Sequence, residues 1–301
     1  MGLLNMISDD LLVPKSKLEQ LIATAPYRYK VYEIKKRSGI GSRTIAQPAR
    51  EVKKLQYWII NKILKKETVH ASAMAYVGKK NILLNASQHS HNPYILKIDF
   101  KDFFTSIKDY DFVKYAENNG NFGLTTEDIQ KITKILFWRK EREKNLCLSI
   151  GAPSSPLLSN IIMREFDEAV SKYCISTNTV YTRYSDDITL SMDNKKTRSE
   201  IFEKINIIIQ DLESPKLQIN TNKTIFGSKA NKRLITGLII NNNGVASLGR
   251  NKKRIIRVQA HRFSKGELAS NEVESLKGMM AHIKMIDPVF FIKIKQKYRI
   301  P

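Results

Sequence analysis

The sequence predicts an α+β protein built on an antiparallel sheet that carries paired acids. Three observations lead there. Helical and strand-like segments follow one another as helix, strands, helix, strand, helices, hairpin, helix, strands and helices. Tyr184-Ser185-Asp186-Asp187 lies between two strand-like runs, Thr179–Tyr184 and Ile188–Met192, which sets adjacent aspartates at the tip of a hairpin. A third carboxylate, Asp99, ends another apolar run, Tyr94–Asp99.

Taken in order, residues 1–26 form a helical lead-in with Leu18, Leu21 and Ile22 on one face. Val31–Ile34 reads as a strand, Arg37–Ser42 as a turn, Arg43–Ala46 as the return strand, and Pro48 closes the hairpin. Val52, Leu55, Ile59 and Ile63 recur at helical spacing between Arg50 and Lys66. Residues 110–145 read as mainly helical, with the basic run Arg139–Arg142 on a solvated face. A helix starts after Pro153-Ser154-Ser155-Pro156, with Ser155 as its cap and Pro156 in its first position. Its buried stripe is Leu158, Ile162, Phe166 and Val170. Thr197 and Glu200 have capping-box spacing and open a helix carrying Ile201, Ile205, Ile208 and Leu212. Leu217–Asn220 and Leu234–Ile240 read as strands, and a boundary falls near Asn241–Gly244.

Composition narrows the function. Lys and Arg number 51 against 29 Asp and Glu in 301 residues, a formal charge of +22. Such an excess implies a polyanionic partner and salt-sensitive binding. A membrane surface is the competing polyanion, but no apolar run approaches spanning length and no secretory signal is present, so a cytoplasmic protein without a membrane partner is expected. Cys147 and Cys174 lack metal-ligand spacing and read as small core residues in a reducing compartment. Residues 245–301 hold 13 Lys and Arg against four Asp and Glu. Arg250, Arg254 and Arg257 share one helical face there, and interspersed residues such as Ile256, Phe263 and Leu276 imply a folded unit.

Adjacent aspartates repel, and a divalent metal that neutralises them accounts for their juxtaposition. A solvated Asp-Asp turn is the plainer alternative for an isolated pair. Three carboxylates from two strands meet the need of a two-Mg²⁺ phosphoryl-transfer site, in which one ion activates a hydroxyl and the other stabilises the leaving pyrophosphate.

The ordered motifs from about Tyr27 to Ile240 resemble those of reverse transcriptases, and of bacterial retron reverse transcriptases in particular. Ile98-Asp99-Phe100-Lys101-Asp102-Phe103-Phe104 is similar to the family's first catalytic motif. The resemblance makes Asp99 a metal ligand and Phe104 the ring beneath the incoming sugar, where it would exclude a ribose 2′-OH. Strand alternation would send Phe103 and Phe104 to opposite faces; Asp102 is either a further ligand or a helix-start residue. Gly151-Ala152-Pro153-Ser154-Ser155-Pro156 resembles the motif under the template–nucleotide pair, with Gly151 allowing close approach. The family usually has glutamine before that glycine, where this chain has Ile150. Tyr181–Asp187 matches the second catalytic motif. Asp186 then shares the metal with Asp99, Asp187 supports the site, and Tyr184 is either near the primer end or a sheet-face aromatic. Asn220-Thr221-Asn222-Lys223-Thr224 resembles the later lysine motif, and Lys223 would approach the triphosphate and protonate pyrophosphate. Arg43 matches a triphosphate-binding arginine, its fork suited to phosphate oxygens. Lys35 or Lys36 could add a contact. Asn85-Ala86-Ser87-Gln88-His89 fits the retron Asn-Ala-x-x-His pattern, and Ile235-Thr236-Gly237 resembles its Val-Thr-Gly. Asn85 and His89 are expected to hold nucleic acid or the local fold.

The resemblance implies a right-hand polymerase fold with fingers (27–95 and 110–150), palm (96–109 and 151–243) and a basic helical thumb (244–301) behind the lead-in. It also implies RNA-directed DNA synthesis from dNTPs with two Mg²⁺ ions, for which Mn²⁺ could substitute. An adjacent structured non-coding RNA would be template and 2′-OH primer, giving branched RNA–DNA (msDNA) in anti-phage defence. A separate effector protein would be a partner, and a host ribonuclease H would remove the template. Two alternatives stand beside this: a mobile-intron-like reverse transcriptase, which the short tail disfavours, and an RNA-binding scaffold that restrains a toxin, against which the complete acid set argues.

Overall fold

The computed structural model describes residues 2–36, 39, 41–119, 122–141 and 143–300. Arg37, Ser38 and Ile40 of the expected turn, and Arg142 of the basic run, lie outside the described residues.

Two helices, α1 (Leu3–Leu11) and α2 (Lys15–Thr24), lead into a hairpin of β1 (Tyr29–Lys35) and β2 (Ser42–Pro48). The hairpin pairs antiparallel from Tyr29–Pro48 to Lys35–Ser42, and β1 is exposed from Lys30 onward. Next come α3 (Arg50–Lys62) and α4 (Ile82–Gln88). Val52, Leu55, Ile59 and Ile63 are all buried, although the last turn before Lys66 tightens to 3₁₀ geometry. Asn81 caps α4, its Oδ1 accepting the Leu84 N–H at 2.8 Å.

Strand β3 (Tyr94–Asp99) is followed by α5 (Phe103–Ser106), α6 (Asp109–Asn119) and α7 (Thr126–Leu136). The helical expectation for 110–145 stops at Leu136. Trp138 and Cys147 then exchange backbone hydrogen bonds at 3.0 and 3.1 Å, closing a loop. The stripe Leu158, Ile162, Phe166 and Val170 is buried as expected but shared between α8 (Ser155–Ile162) and α9 (Arg164–Ser176). Ser154, not Ser155, is the residue flanking α8, and it makes no side-chain cap bond.

The hairpin that carries the paired acids is β4 (Val180–Tyr184) and β5 (Asp187–Met192), followed by α10 (Thr197–Asp211). The capping box expected at Thr197 and Glu200 does not form, because Lys196 is the flanking residue and the helix begins at Thr197 itself. Ile209, rather than Ile208, joins Ile201 and Ile205 inside. Leu217–Asn220 makes only a single bridge, Phe100 to Ile219. The strand beyond it, β6 (Ile225–Ser228), was not foreseen. Leu234–Ile240 is a hairpin of β7 (Arg233–Ile235) and β8 (Leu238–Ile240) that turns at Thr236-Gly237, with β9 (Ala246–Ser247) alongside. Helices α11 (Gly249–Ser264), α12 (Ser270–Ile286) and α13 (Pro288–Tyr298) close the chain.

The four-stranded sheet has the order β4-β5-β3-β6, all neighbours antiparallel. Its apolar face joins the main core around Leu96, Ile98, Phe166, Ile188 and Ile205. A second core unites Ile235, Leu238 and Ile240 with Ile256, Leu276, Ile283 and Phe290. The division expected at 243/244 falls inside this second unit, because the β7-β8-β9 sheet buries its side chains against the last three helices. Among the described residues no helix is long and apolar enough to cross a membrane.

Candidate active site

Pairing register brings the acids together. Asp99, the last residue of β3, stands opposite Asp187, the first of β5, while Tyr184 pairs with Asp187 across a two-residue turn of Ser185 and Asp186. The Asp186 carbonyl accepts the Phe100 N–H at 3.3 Å, stitching the turn to the end of β3. Lys223 follows Asn220 in a short 3₁₀ turn beside β3. Its Nζ donates to Asp99 Oδ1 at 2.9 Å and Oδ2 at 3.1 Å, and Asn220 Nδ2 donates to Oδ1 at 3.3 Å.

The turn is held from behind by a buried ion pair. Strand alternation points Tyr181 and Arg183 to one face of β4, where both reach Asp167 on α9. Arg183 is bidentate to Asp167, Nε at 2.7 Å and Nη2 at 2.6 Å, with both side chains fully buried. Tyr181 donates its hydroxyl to the same carboxylate at 2.5 Å. Arg183 Nη1 then donates to Asn160 Oδ1 and to the Ser185 carbonyl, each at 3.1 Å. Ser185 itself has φ +61°, a left-handed conformation that this hydrogen bond secures. Breaking one side of such a buried pair costs about 3–5 kcal/mol. Arg183 lies within the Tyr181–Asp187 motif, yet nothing in the one-dimensional pattern named its partner on α9.

The electrostatics fit a cation. Burial, then Asp187 and Asp99, push the Asp186 carboxyl above its usual range; burial, and then Asp99, do the same for Asp187. Lys223 is pushed up chiefly by its hydrogen bond to Asp99. Among the described residues no group of three or more His, Cys, Asp or Glu side chains is already gathered in metal-holding geometry. The Lys223 ammonium lies on Asp99, so this carboxylate already faces positive charge. The all-oxygen donor set suits a hard divalent ion, and added positive charge there offsets the burial and the secondary repulsion that raise Asp186 and Asp187.

The other expected residues divide into two groups. Gly151 has φ +126°, and a Cβ there would sit 3.0 Å from the Ala46 carbonyl oxygen and 3.1 Å from Ile45 Cγ2. The Ala46 N–H donates to the Ile150 carbonyl at 2.9 Å, so the main chain at 150–151 docks on the β2 strand that bears Arg43. Arg43 is exposed and paired with Ile34. Phe104 is half-buried on α5, its ring centre 5.3 Å from that of the core residue Phe103. The two lie on a helical turn, so helix geometry rather than strand alternation separates them. Asp102 is exposed, with φ +45°, at the start of that helix. Tyr184 is half-buried at the end of β4.

Asn85 and His89 are corrections as nucleic-acid contacts. Both are fully buried. His89 Nδ1 is 2.8 Å from Ser191 Oγ and Nε2 is 2.7 Å from Thr182 Oγ1, and Asn85 donates to Thr236 Oγ1 at 3.4 Å. They fasten α4 to the β4–β5 hairpin and to the β7–β8 turn, leaving no surface for a ligand. Arg250, Arg254 and Arg257 are exposed on α11, as their spacing implied, and belong to the second unit. The Arg257 guanidinium lies 5.0 Å from the Phe290 ring centre.

Paired acids at a hairpin turn, a third acid across the sheet with a lysine on it, and a helix-backed antiparallel sheet form a constellation suited to nucleotidyl transfer. The family described as reverse transcriptase (RNA-dependent DNA polymerase) matches residues 34–249. The chain is 38% identical over 274 residues to the retron Ec83 reverse transcriptase of Escherichia coli, covering 90% of this chain and 86% of that one. It is 33% identical to the retron Ec86 reverse transcriptase of Escherichia coli, covering 93% and 86%. A telomerase from Candida albicans, solved with a fragment of telomeric RNA, superposes with a TM-score of 0.52 at 12% identity. That match takes in 89% of this chain and 56% of the telomerase chain, and speaks to the fold alone. The chain belongs to the reverse transcriptase family and, within it, to the retron reverse transcriptases. It is an RNA-directed DNA polymerase with a mixed α/β polymerase fold, of a family that uses divalent metal ions and dNTPs.

Proposed function

We propose that this polymerase copies an adjacent structured non-coding RNA into a short DNA, primed from the 2′-OH of an internal guanosine, so that the product is branched RNA–DNA (msDNA). The observation that carries the chemistry is the register that sets Asp99 opposite Asp187, with Asp186 in the turn between β4 and β5 and Lys223 on Asp99. Identity to retron enzymes over most of the chain supports the template and product class.

Asp99 and Asp186 would hold two Mg²⁺, or Mn²⁺ in substitution, with Asp187 in support. When bound, the ions lower the pKa of the attacking hydroxyl and neutralise charge on the transferred phosphoryl group. The chain's own residues do the rest. Lys223 is kept protonated by Asp99 and has an exposed side chain, so it can leave that carboxylate and give a proton to the departing pyrophosphate. Arg43 on the outer hairpin takes triphosphate oxygens. Phe104 packs under the deoxyribose and excludes a 2′-OH, and Gly151 lets the main chain lie against the base pair. Tyr184 meets the primer end.

In this reading the lead-in, fingers, palm and thumb keep the limits given above, except that the β7-β8-β9 sheet moves with the thumb. Arg250, Arg254 and Arg257 grip RNA phosphates and the duplex. The system serves anti-phage defence in the cytoplasm with a separate effector protein, and a host ribonuclease H removes template. Expression of the gene with its flanking DNA, followed by extraction of total nucleic acid, tests this. A short discrete DNA whose size shifts after ribonuclease and debranching treatment, and which disappears in Asp186→Asn, is expected. Its absence, while the purified protein still extends an ordinary primer on RNA, would remove the retron product and leave the polymerase.

A further inference from the structure

Between α3 and α4 the chain forms a strap over the outer edge of β4. Ala73 pairs in parallel with Arg183, the Arg183 N–H donating to the Ser72 carbonyl and the Met74 N–H to the Arg183 carbonyl, both at 2.8 Å. Asn160 Nδ2 donates to the Ala75 carbonyl at 2.8 Å, and Lys80 Nζ donates to the carbonyls of Ala71 at 2.5 Å and Ala73 at 2.9 Å. Arg183 and Asn160, which fix the catalytic turn, thus fix the strap as well.

At the end of this fastening sits Tyr76, with φ +61°. A bulky residue is held in the left-handed region only when its surroundings over-determine it, and such outliers concentrate at functional sites. Burial does not account for it, since Tyr76 is 53% exposed. Its hydroxyl donates to Ser185 Oγ at 3.4 Å, so the ring stands beside the turn carrying Asp186. Because the strap lies beyond β4 in the order β4-β5-β3, Tyr76 flanks the turn on the side away from Asp99. An exposed Lys79 follows three residues on. An exposed aromatic ring at this position offers an apolar face to a sugar or to an unpaired template base, and an exposed lysine in the same segment adds positive charge near its phosphates.

We propose that Tyr76 is a substrate-contacting residue whose ring supports the primer–template duplex where it crosses the catalytic turn. This rests on the polymerase reading of the site. The exposed position makes truncation compatible with the fold, which an unchanged thermal midpoint verifies.

The test uses the full chain and a fluorescein-labelled DNA primer annealed to an RNA template, with binding read by anisotropy and extension by steady-state kinetics. Tyr76→Ala is expected to weaken duplex binding and raise the duplex KM by about tenfold, with kcat changed by less than about twofold. Tyr76→Phe, which keeps the ring, is expected to match the parent. Parental binding by Tyr76→Ala would overturn the proposal. Equal losses in both variants would assign the effect to the hydroxyl on Ser185 and overturn it too. Asp186→Asn separates the two readings. If it binds the duplex but cannot extend it, the polymerase assignment stands whatever Tyr76 does. If the parent itself cannot extend, that assignment fails, and the binding comparison still decides Tyr76.

Discussion

Acidification should weaken this fold through His89. The imidazole is fully buried between the hydroxyls of Ser191 and Thr182, and burial alone drives its pKa from 6.5 down to about 3. The folded chain therefore keeps His89 neutral over a range in which the unfolded chain binds a proton. A base lowered on folding contributes full stability above pH 6.5 and loses it as pH falls from there toward 3. The loss runs at about 1.4 kcal/mol per pH unit, so about 2 kcal/mol is gone by pH 5. Other groups titrate in the same window. Glu143 is lowered by Lys108 and Lys140, while Asp111 is raised by burial, so the total slope mixes signs. The comparison that isolates His89 is the parent against His89→Asn, which keeps a polar side chain but cannot ionise. Urea unfolding of both at pH 8 and pH 5 should show the parent losing about 2 kcal/mol more than the variant. Identical losses would mean that His89 charges freely in the folded state, and would reopen it as a ligand contact.

Three further outcomes follow from particular side chains. Phe104→Val should admit ribonucleotides, lowering dNTP-over-rNTP discrimination in single-nucleotide extension by roughly one to two orders of magnitude; unchanged selectivity removes Phe104 as the gate. Gly151→Ala forces a Cβ against the Ala46 carbonyl at a φ of +126°, so it should cost about 1–3 kcal/mol in urea unfolding and raise the dNTP KM; parental behaviour in both would dissolve the link between that loop and the outer hairpin. Neutralising Arg250, Arg254 and Arg257 should weaken RNA binding and flatten the plot of log affinity against log salt by up to about one for each phosphate no longer neutralised; an unchanged slope places the RNA elsewhere.

The acids were legible because the motif is local. A two-residue turn between apolar runs can only present Asp186 and Asp187 at a hairpin tip, and Asp99 ends its strand visibly. Local signals also gave the outer hairpin and the stripe Leu158–Val170. What escaped was set by tertiary partners. Asp167 looks like any helical acid until Arg183 and Tyr181 converge on it from β4. Tyr76 sits in a stretch without periodicity, and its conformation depends on Asn160 and Arg183 far along the chain. β6 was missed because the short Ile225–Ser228 segment includes Gly227 and gains its strand identity only by pairing with β3. For His89 the sequence left nucleic-acid contact and local fold both open, because a polar pattern alone does not distinguish a buried histidine between two hydroxyls from a surface one.

RNA-templated DNA synthesis by the purified chain tests the central claim most directly. With Mg²⁺, dNTPs and a DNA primer annealed to RNA, the parent should extend the primer, and Asp186→Asn should fall by about 10³-fold or more while binding the same duplex with parental affinity. Parental extension by Asp186→Asn, or loss of duplex binding together with activity, would contradict the assignment of the turn between β4 and β5 as the catalytic centre.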